Sequence, residues 1–217
     1  MELLRHSNRV NALALLAILF APVSQAQTPR SALNYFNRGN AQVVAGALEE
    51  AILDFSIAIT FDPHLGVAYN SRGNAWFAKG NLDAAIVDFD SAIRIKPRYP
   101  TAYYNRGNAK RANGDLDGAI ADYTKAVDIS PHLALAYNNR ANARRDKGDV
   151  EGAITDYDKA ITVDPKCALA YGNRGLAQLL QGKEIAAQKD FERCIELDGR
   201  LRLSLEERIK EMKSSRR

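Results

Sequence analysis

The stretch from Tyr103 to Pro131, YYNRGNAKRANGDLDGAIADYTKAVDISP, settles the architecture, because almost every feature of it returns at a fixed interval of 34 residues on either side. Tyr103 has counterparts in Tyr35, Tyr69, Tyr137 and Tyr171. Within the stretch, Tyr103, Gly107 and Lys110 follow helical spacing. Gly114 interrupts it, and Leu116, Ala119, Ile120, Tyr123, Ala126 and Val127 resume a 3.6-residue period before Ser130 and Pro131. The unit is therefore helix, turn, helix, turn. Alternating strand patterns are absent, which predicts an all-α chain.

Outward from that stretch the copies align without insertion or deletion as 32–65, 66–99, 100–133, 134–167 and 168–201, which is 170 of the 217 residues. Position 8 of the copy is Gly39, Gly73, Gly107, Ala141 and Gly175, and position 20 is Ala51, Ala85, Ala119, Ala153 and Ala187. Position 24 is aromatic throughout (Phe55, Phe89, Tyr123, Tyr157, Phe191), and position 32 is Pro63, Pro97, Pro131, Pro165 and Gly199. Gly46, Gly80, Gly114, Gly148 and Gly182 at position 15 suit the end of the first helix, where a left-handed backbone carries no side-chain clash. Asn81, Asp115 and Asp149 follow as caps for the second helix. A unit this short cannot bury its own apolar face, so the copies must stack into a solenoid.

An aromatic at position 4, Gly at 8, Ala at 20, an aromatic at 24, Ala at 27 (Ala58, Ala92, Ala126, Ala160) and Pro at 32, repeated every 34 residues, resemble the tetratricopeptide repeat family. The resemblance implies antiparallel helix pairs stacked in a right-handed superhelix. The first helix of each pair lines a concave groove that receives a peptide or a partner's helix. The chain departs from the family pattern at position 7, where Arg38, Arg72, Arg106, Arg140 and Arg174 replace the usual Leu, and at position 11, which reads Gln42, Trp76, Lys110, Arg144 and Gln178. Position 23 is Asp54, Asp88, Asp122, Asp156 and Asp190. A partly buried guanidinium needs a local carboxylate, so the one-to-one match is expected to form ion pairs between helices rather than a ligand ladder.

In the first helices, positions 2, 5, 6, 9, 12 and 13 share a face. Asn37, Asn105, Asn139 and Asn173 recur there at position 6, and Asn40, Asn74, Asn108 and Asn142 at position 9. An amide both donates and accepts, so such a column either clamps an extended peptide backbone or bonds from copy to copy, and the two roles are compatible. The column is similar to the asparagine-lined grooves of some family members and to half of the carboxylate clamp of chaperone adaptors. The other half is missing, because position 5 is Phe36, Asn70, Tyr104, Asn138 and Gly172. Arg111 and Arg145, with Lys110 and Arg144 beside them, make the middle of the groove or its rim basic, while Asp146 dilutes the charge. Phe36, Phe77 and Tyr104 offer apolar footholds, and Leu176, Leu179 and Leu180 make the last copy's face oily. The expected partner is a protein or peptide, acidic or bearing a C-terminal carboxylate. Self-association through exposed edges, with Leu179 and Leu180 as the patch, is the alternative.

Residues 1–26 have a basic head (Arg5, His6, Arg9), an apolar run from Ala12 to Ala21, and Ser24-Gln25-Ala26 before an expected cut after Ala26. That reads as a signal peptide, too short for a comfortable membrane span, and predicts export to the periplasm or beyond. Residues 27–31 read as a linker. The mature chain would hold 28 basic and 25 acidic residues, too mild an excess for a nucleic-acid binder. No metal-ligand spacing, phosphate loop or nucleophile elbow occurs, so no enzyme activity and no cofactor are expected. Cys167 and Cys194 fall at ends of helices that antiparallel pairing brings together, and the sequence leaves their oxidation state open. Leu201, Leu205, Ile209 and Met212 share one helical face, which predicts a capping helix over 202–213 followed by a frayed tail at 214–217.

Overall fold

The computed structural model describes residues 31–214; the leader expected at 1–26, nearly all of the linker, and the last three residues lie outside them. Eleven α-helices occur among the described residues, and no strand. The first pair is α1 (Ala32–Val44) with α2 (Leu48–Phe61), followed by α3 (Gly66–Ala78) with α4 (Leu82–Ile95) and α5 (Pro100–Ala112) with α6 (Leu116–Ile129). Then come α7 (Ala134–Asp146) with α8 (Val150–Val163), and α9 (Ala168–Leu180) with α10 (Glu184–Leu197). A 3-10 turn, Gly199–Leu201, leads into α11 (Arg202–Ser214). Each pair packs most closely within itself and next against the following pair. First helices of successive pairs also touch one another, whereas second helices do so less, which puts the first helices on the inner, tighter side of the stack.

One turn is built five times from the same glycine. At the end of α5, Gly114 takes φ +84°, the Asp115 N–H donates to the Lys110 carbonyl at 2.9 Å, and the Gly114 N–H donates to the Arg111 carbonyl at 3.1 Å. These two bonds satisfy carbonyls that the helix end would otherwise leave unpaired. The next residue then caps the second helix: Asp115 accepts from the Gly118 N–H at 2.8 Å, Asp149 from Gly152 at 2.9 Å and Asn81 from Ala84 at 3.2 Å. The chain thus reverses in a handful of residues, and the two helices are brought side by side.

The core is a spine of rings and small residues. The ring at position 24 packs against position 8 of its own first helix, so that a Cβ added to Gly73 would sit 2.7 Å from the Phe89 ring. On its other side it meets the position-10 alanine of the next pair, as Phe89 meets Ala109 and Tyr123 meets Ala143. Every such ring is buried. Each contributes on the order of 2–3 kcal/mol of apolar burial, and no pair completes its own core without the next.

The last pair has no sixth pair to lean on. Instead α11 starts 34 residues after α9 and lays Leu205, only 4% exposed, with Ile209 and Met212 against Leu176, Leu179, Phe191 and Cys194. It ends the stack and leaves the inner side of the preceding pairs open. The helix reaches Ser214, one residue beyond the capping helix expected at 202–213, and the Ser214 hydroxyl donates to the Glu211 carbonyl at 2.8 Å. Leu179 is a correction: at 3% exposure it belongs to this core and offers no surface patch, and Leu176 is buried with it, while Leu180 stays 43% exposed. Cys167 and Cys194 are both free and buried. The absent side chain of Gly172 leaves the space that the Cys194 sulfur fills.

Candidate functional site

The arginines at position 7 are absorbed by the fold. Arg72 forks onto Asp88 with Nε to Oδ2 at 2.8 Å and a second bond of 2.7 Å, and Arg38, Arg106, Arg140 and Arg174 repeat the geometry on Asp54, Asp122, Asp156 and Asp190. Each guanidinium also lies over the tyrosine three residues before it, 4.9 Å from the ring centre for Arg38 and 5.5 Å for Arg106. The remaining nitrogen reaches back to the preceding pair: Arg72 to Ser56 at 2.9 Å, Arg106 to Asp90 at 2.5 Å, Arg140 to Thr124 at 3.0 Å and Arg174 to Asp158 at 2.6 Å. These partners all stand at position 25, where sequence reading took no notice of the recurring oxygen. Lys110 and Arg144 join the same ladder, on Asp122 at 2.9 Å and Asp156 at 2.8 Å. Both were expected to make the groove or its rim basic, yet each spends its charge on the buried carboxylate beside it.

The asparagines divide into two groups. From copy to copy, Asn105 donates to Asn70 at 3.1 Å, Asn173 to Asn138 at 3.0 Å, and Asn139 to Tyr104 at 3.1 Å and Asn108 at 2.9 Å. The amide column thus ties the inner helices together, with Asn70 and Asn138 as partners the sequence reading did not single out. The Tyr123 hydroxyl donates to Asn108 at 2.8 Å, and the Tyr157 hydroxyl to Asn142 at 2.7 Å. Burial pushes the Tyr157 hydroxyl up to about 12, with the nearby Arg145 charge opposing, so it stays a donor at neutral pH. Copies one and two carry Phe55 and Phe89 where these tyrosines stand, so Asn40 and Asn74 have no such hydroxyl. Asn37 and Asn74 are exposed on the inner helices α1 and α3, and Asn40 is half-buried.

Hydrogen-bond polarity follows from this. A tyrosine that donates to an amide oxygen leaves the amide nitrogen as the group still on offer, so the half-buried Asn108 presents a donor, whereas Asn142 is buried. Arg111 and Arg145 lie beside them and share one carboxylate, Asp146, at 2.6 and 3.1 Å. Burial pushes the Asp146 carboxyl up, but hydrogen bonds from Arg111 and Arg145 outweigh it and hold the group below its ordinary range. Arg111 and Asp146 line a cleft of about 410 Å³ together with Phe77, Asn108, Tyr123 and Asn139. Phe77, 37% exposed, gives it an apolar wall. The structure therefore brings together Asn108, Asn139, Tyr104, Arg111 and Arg145 of the expected groove, whereas Asn37 and Asn40 stand apart at the first pair. Among the described residues no group of three or more His, Cys, Asp or Glu side chains could hold a metal ion, and no helix is long and apolar enough to cross a membrane.

A one-dimensional stack of helix pairs with an open polar inner face defines a helical repeat protein of the protein-interaction type. The TPR repeat model matches residues 73–110, 107–144 and 141–182, the tetratricopeptide repeat model matches 168–200, and the chain belongs to the tetratricopeptide repeat family. No curated protein matches the sequence. Among solved structures, MamA from Desulfovibrio magneticus RS-1 is 21% identical with a TM-score of 0.71, covering 80% of this chain and 97% of its own. YrrB, described as a TPR protein with an unusual peptide-binding site, is 20% identical with a TM-score of 0.65 and covers 82% and 91%. The first TPR of Spaghetti (RPAP3), bound to the HSP90 peptide SRMEEVD, is 25% identical with a TM-score of 0.54 and covers 58% and 99%.

Proposed function

We propose that this protein is a non-catalytic scaffold that holds an extended, acidic or carboxylate-terminated peptide along its inner face, between the second and fourth helix pairs. One observation carries the reading: two guanidinium groups with a single counter-charge stand near an amide turned to donate. The Asn108 oxygen is taken by the Tyr123 hydroxyl, which leaves its nitrogen to donate, and Arg111 and Arg145 share Asp146 as their counter-charge. Such a surface suits a ligand rich in acceptors, namely backbone carbonyls and carboxylates. Phe77 supplies a foothold at the second pair. Two fold relatives with peptide sites support the mode of binding, and the acidic residues in the peptide SRMEEVD agree with the charge.

Reversing charge at Arg111 and Arg145 to Glu should weaken an acidic peptide by about tenfold or more and flatten the salt dependence of binding. Affinity and salt dependence unchanged in the double variant, measured by fluorescence anisotropy, would remove the proposal. Export belongs to the same reading and rests on the leader at 1–26. N-terminal sequencing of protein recovered from its host should start at Gln27, and an intact Met1 would refute it.

A second reading is favoured by a different feature. The end of the stack carries Ile185, 80% exposed, and a cleft of about 500 Å³ between α10 and α11 lined by Ile185, Phe191 and Ile209. Self-association through that end would appear as a concentration-dependent mass in sedimentation equilibrium, abolished by Ile185→Glu; a monomer at all concentrations removes this reading.

A further inference from the structure

Junctions between pairs are made of two recurring contacts. The position-24 ring of one pair meets the position-10 alanine of the next, as Phe89 meets Ala109, Tyr123 meets Ala143 and Tyr157 meets Ala177. One residue further along the same second helix, the position-25 oxygen accepts from Nη1 of the next pair's arginine, as Asp90 does from Arg106 and Asp158 from Arg174. Each end of the stack therefore holds half a junction. At the leading end that half is open. Arg38 spends Nε and Nη2 on Asp54, and its Nη1 meets no partner among the described residues. Its side chain is 59% exposed, against 12–21% for the four arginines clasped on both sides. Ala41, at position 10, is exposed where its counterparts Ala75, Ala109, Ala143 and Ala177 are buried.

The trailing end holds the matching half. Phe191 and Glu192 stand at positions 24 and 25 of the last pair, and α11, which begins one full period after α9, brings Arg208 and Glu211 to positions 7 and 10. It does not make the junction. Arg208 donates to the Asn173 amide at 3.2 Å, while the exposed Glu192 accepts from the neutral Gln188 at 2.9 Å and makes no ion pair among the described residues. A glutamate at position 10 cannot lie against a ring as an alanine does. Accordingly α11 stands off α10, whereas α3, α5, α7 and α9 each pack closely along the second helix before them. Two clefts of about 500 and 480 Å³ separate α10 from α11, and both are lined by Phe191, Glu192 and Ile209.

We infer that the two ends are halves of one interface: α1 of one copy takes the place of α11 on a second copy, with Ala41 against Phe191 and Arg38 Nη1 on the Glu192 carboxylate, so that copies join head to tail. This rests on the reading of self-association through the end of the stack and names the surface that meets that end, the leading hairpin. A head-to-tail contact uses different surfaces on its two members, so it extends into a row where a two-fold contact would close as a dimer. α11 sets the threshold for joining, because Leu205, Ile209 and Met212 must leave their core before α1 is seated.

The test blocks one end at a time and follows association by analytical ultracentrifugation. Ala41→Arg places a long side chain on the leading end, and Glu192→Lys reverses the trailing carboxylate; both positions are exposed, so neither change disturbs the core. Arg38 is left in place, since removing it would strand the buried Asp54. Each variant alone should associate about tenfold or more weakly than the unaltered protein. An equimolar mixture of the two should form a one-to-one pair and nothing larger, because it holds one intact leading end and one intact trailing end. Amides of α11 should exchange with solvent faster in the joined protein than in the monomer. Undiminished association of either variant, a mixture as weak as its components, or α11 equally protected in both forms overturns this inference and leaves self-association standing. A monomer at all concentrations overturns both. Thermal melts of the variants are taken first; if Ala41→Arg does not melt cooperatively, Ala41→Glu, which repels Glu192, takes its place.

Discussion

Asp88 and Asp156 occupy the same place in their copies and differ in one respect. Both are buried and both receive a forked arginine, but Asp88 has Arg72 alone, whereas Asp156 also has Arg144 at 2.8 Å. Breaking a buried pair costs more than the pair is worth, because the remaining charge keeps its desolvation and loses its compensation. Arg72→Leu should therefore destabilise the protein by roughly 3–5 kcal/mol, and Arg140→Leu by about half as much. Urea denaturation of the two variants checks this, and equal losses would show that Arg144 does not compensate Asp156. The pairing itself was visible from the one-to-one match of positions 7 and 23. Its extension to position 25 was harder to see, since Ser56, Asp90, Thr124 and Asp158 share an oxygen but no residue type. The same blindness hid the polarity of the inner face. Tyr123 and Tyr157 read as core rings, and only the fold shows that their hydroxyls donate to Asn108 and Asn142.

Helix ends were written plainly in the chain. Glycine at position 15 has one physical reason to recur, the left-handed backbone, and all five adopt it. Gly114→Ala would force a side chain into φ +84° in a turn whose surroundings are open, so the cost is conformational and not steric. A loss of about 1–2 kcal/mol is expected from that strain. Differential scanning calorimetry of Gly114→Ala would test it; a stabilised variant would mean the turn can relax without its hydrogen bonds. The terminal helix was legible as an end plate from Leu201, Leu205, Ile209 and Met212. Its second contact was not, because Arg208 reads as an ordinary surface charge until the fold brings it to Asn173. Leu179 failed for the converse reason: an apolar residue on a first helix looks exposed unless the reader knows that α11 covers it.

For the whole molecule, periodicity did nearly all the work, since a unit that cannot stand alone and recurs in register has few ways to fold. What periodicity cannot express is the difference between copies, and the candidate site lives in those differences: Phe77, Arg111 and Arg145 at one position, Tyr or Phe at another. The ladder adds a sense of direction. Four of its five arginines clasp both their own pair and the one before; Arg38, whose side chain is 59% exposed, has no described pair to clasp. Every junction between described pairs is thus buckled from its C-terminal side. A tension drawn through the backbone meets a chain of like fasteners all facing one way, and the leading hairpin, α1 with α2, is held to the rest by a buckle that belongs to its neighbour.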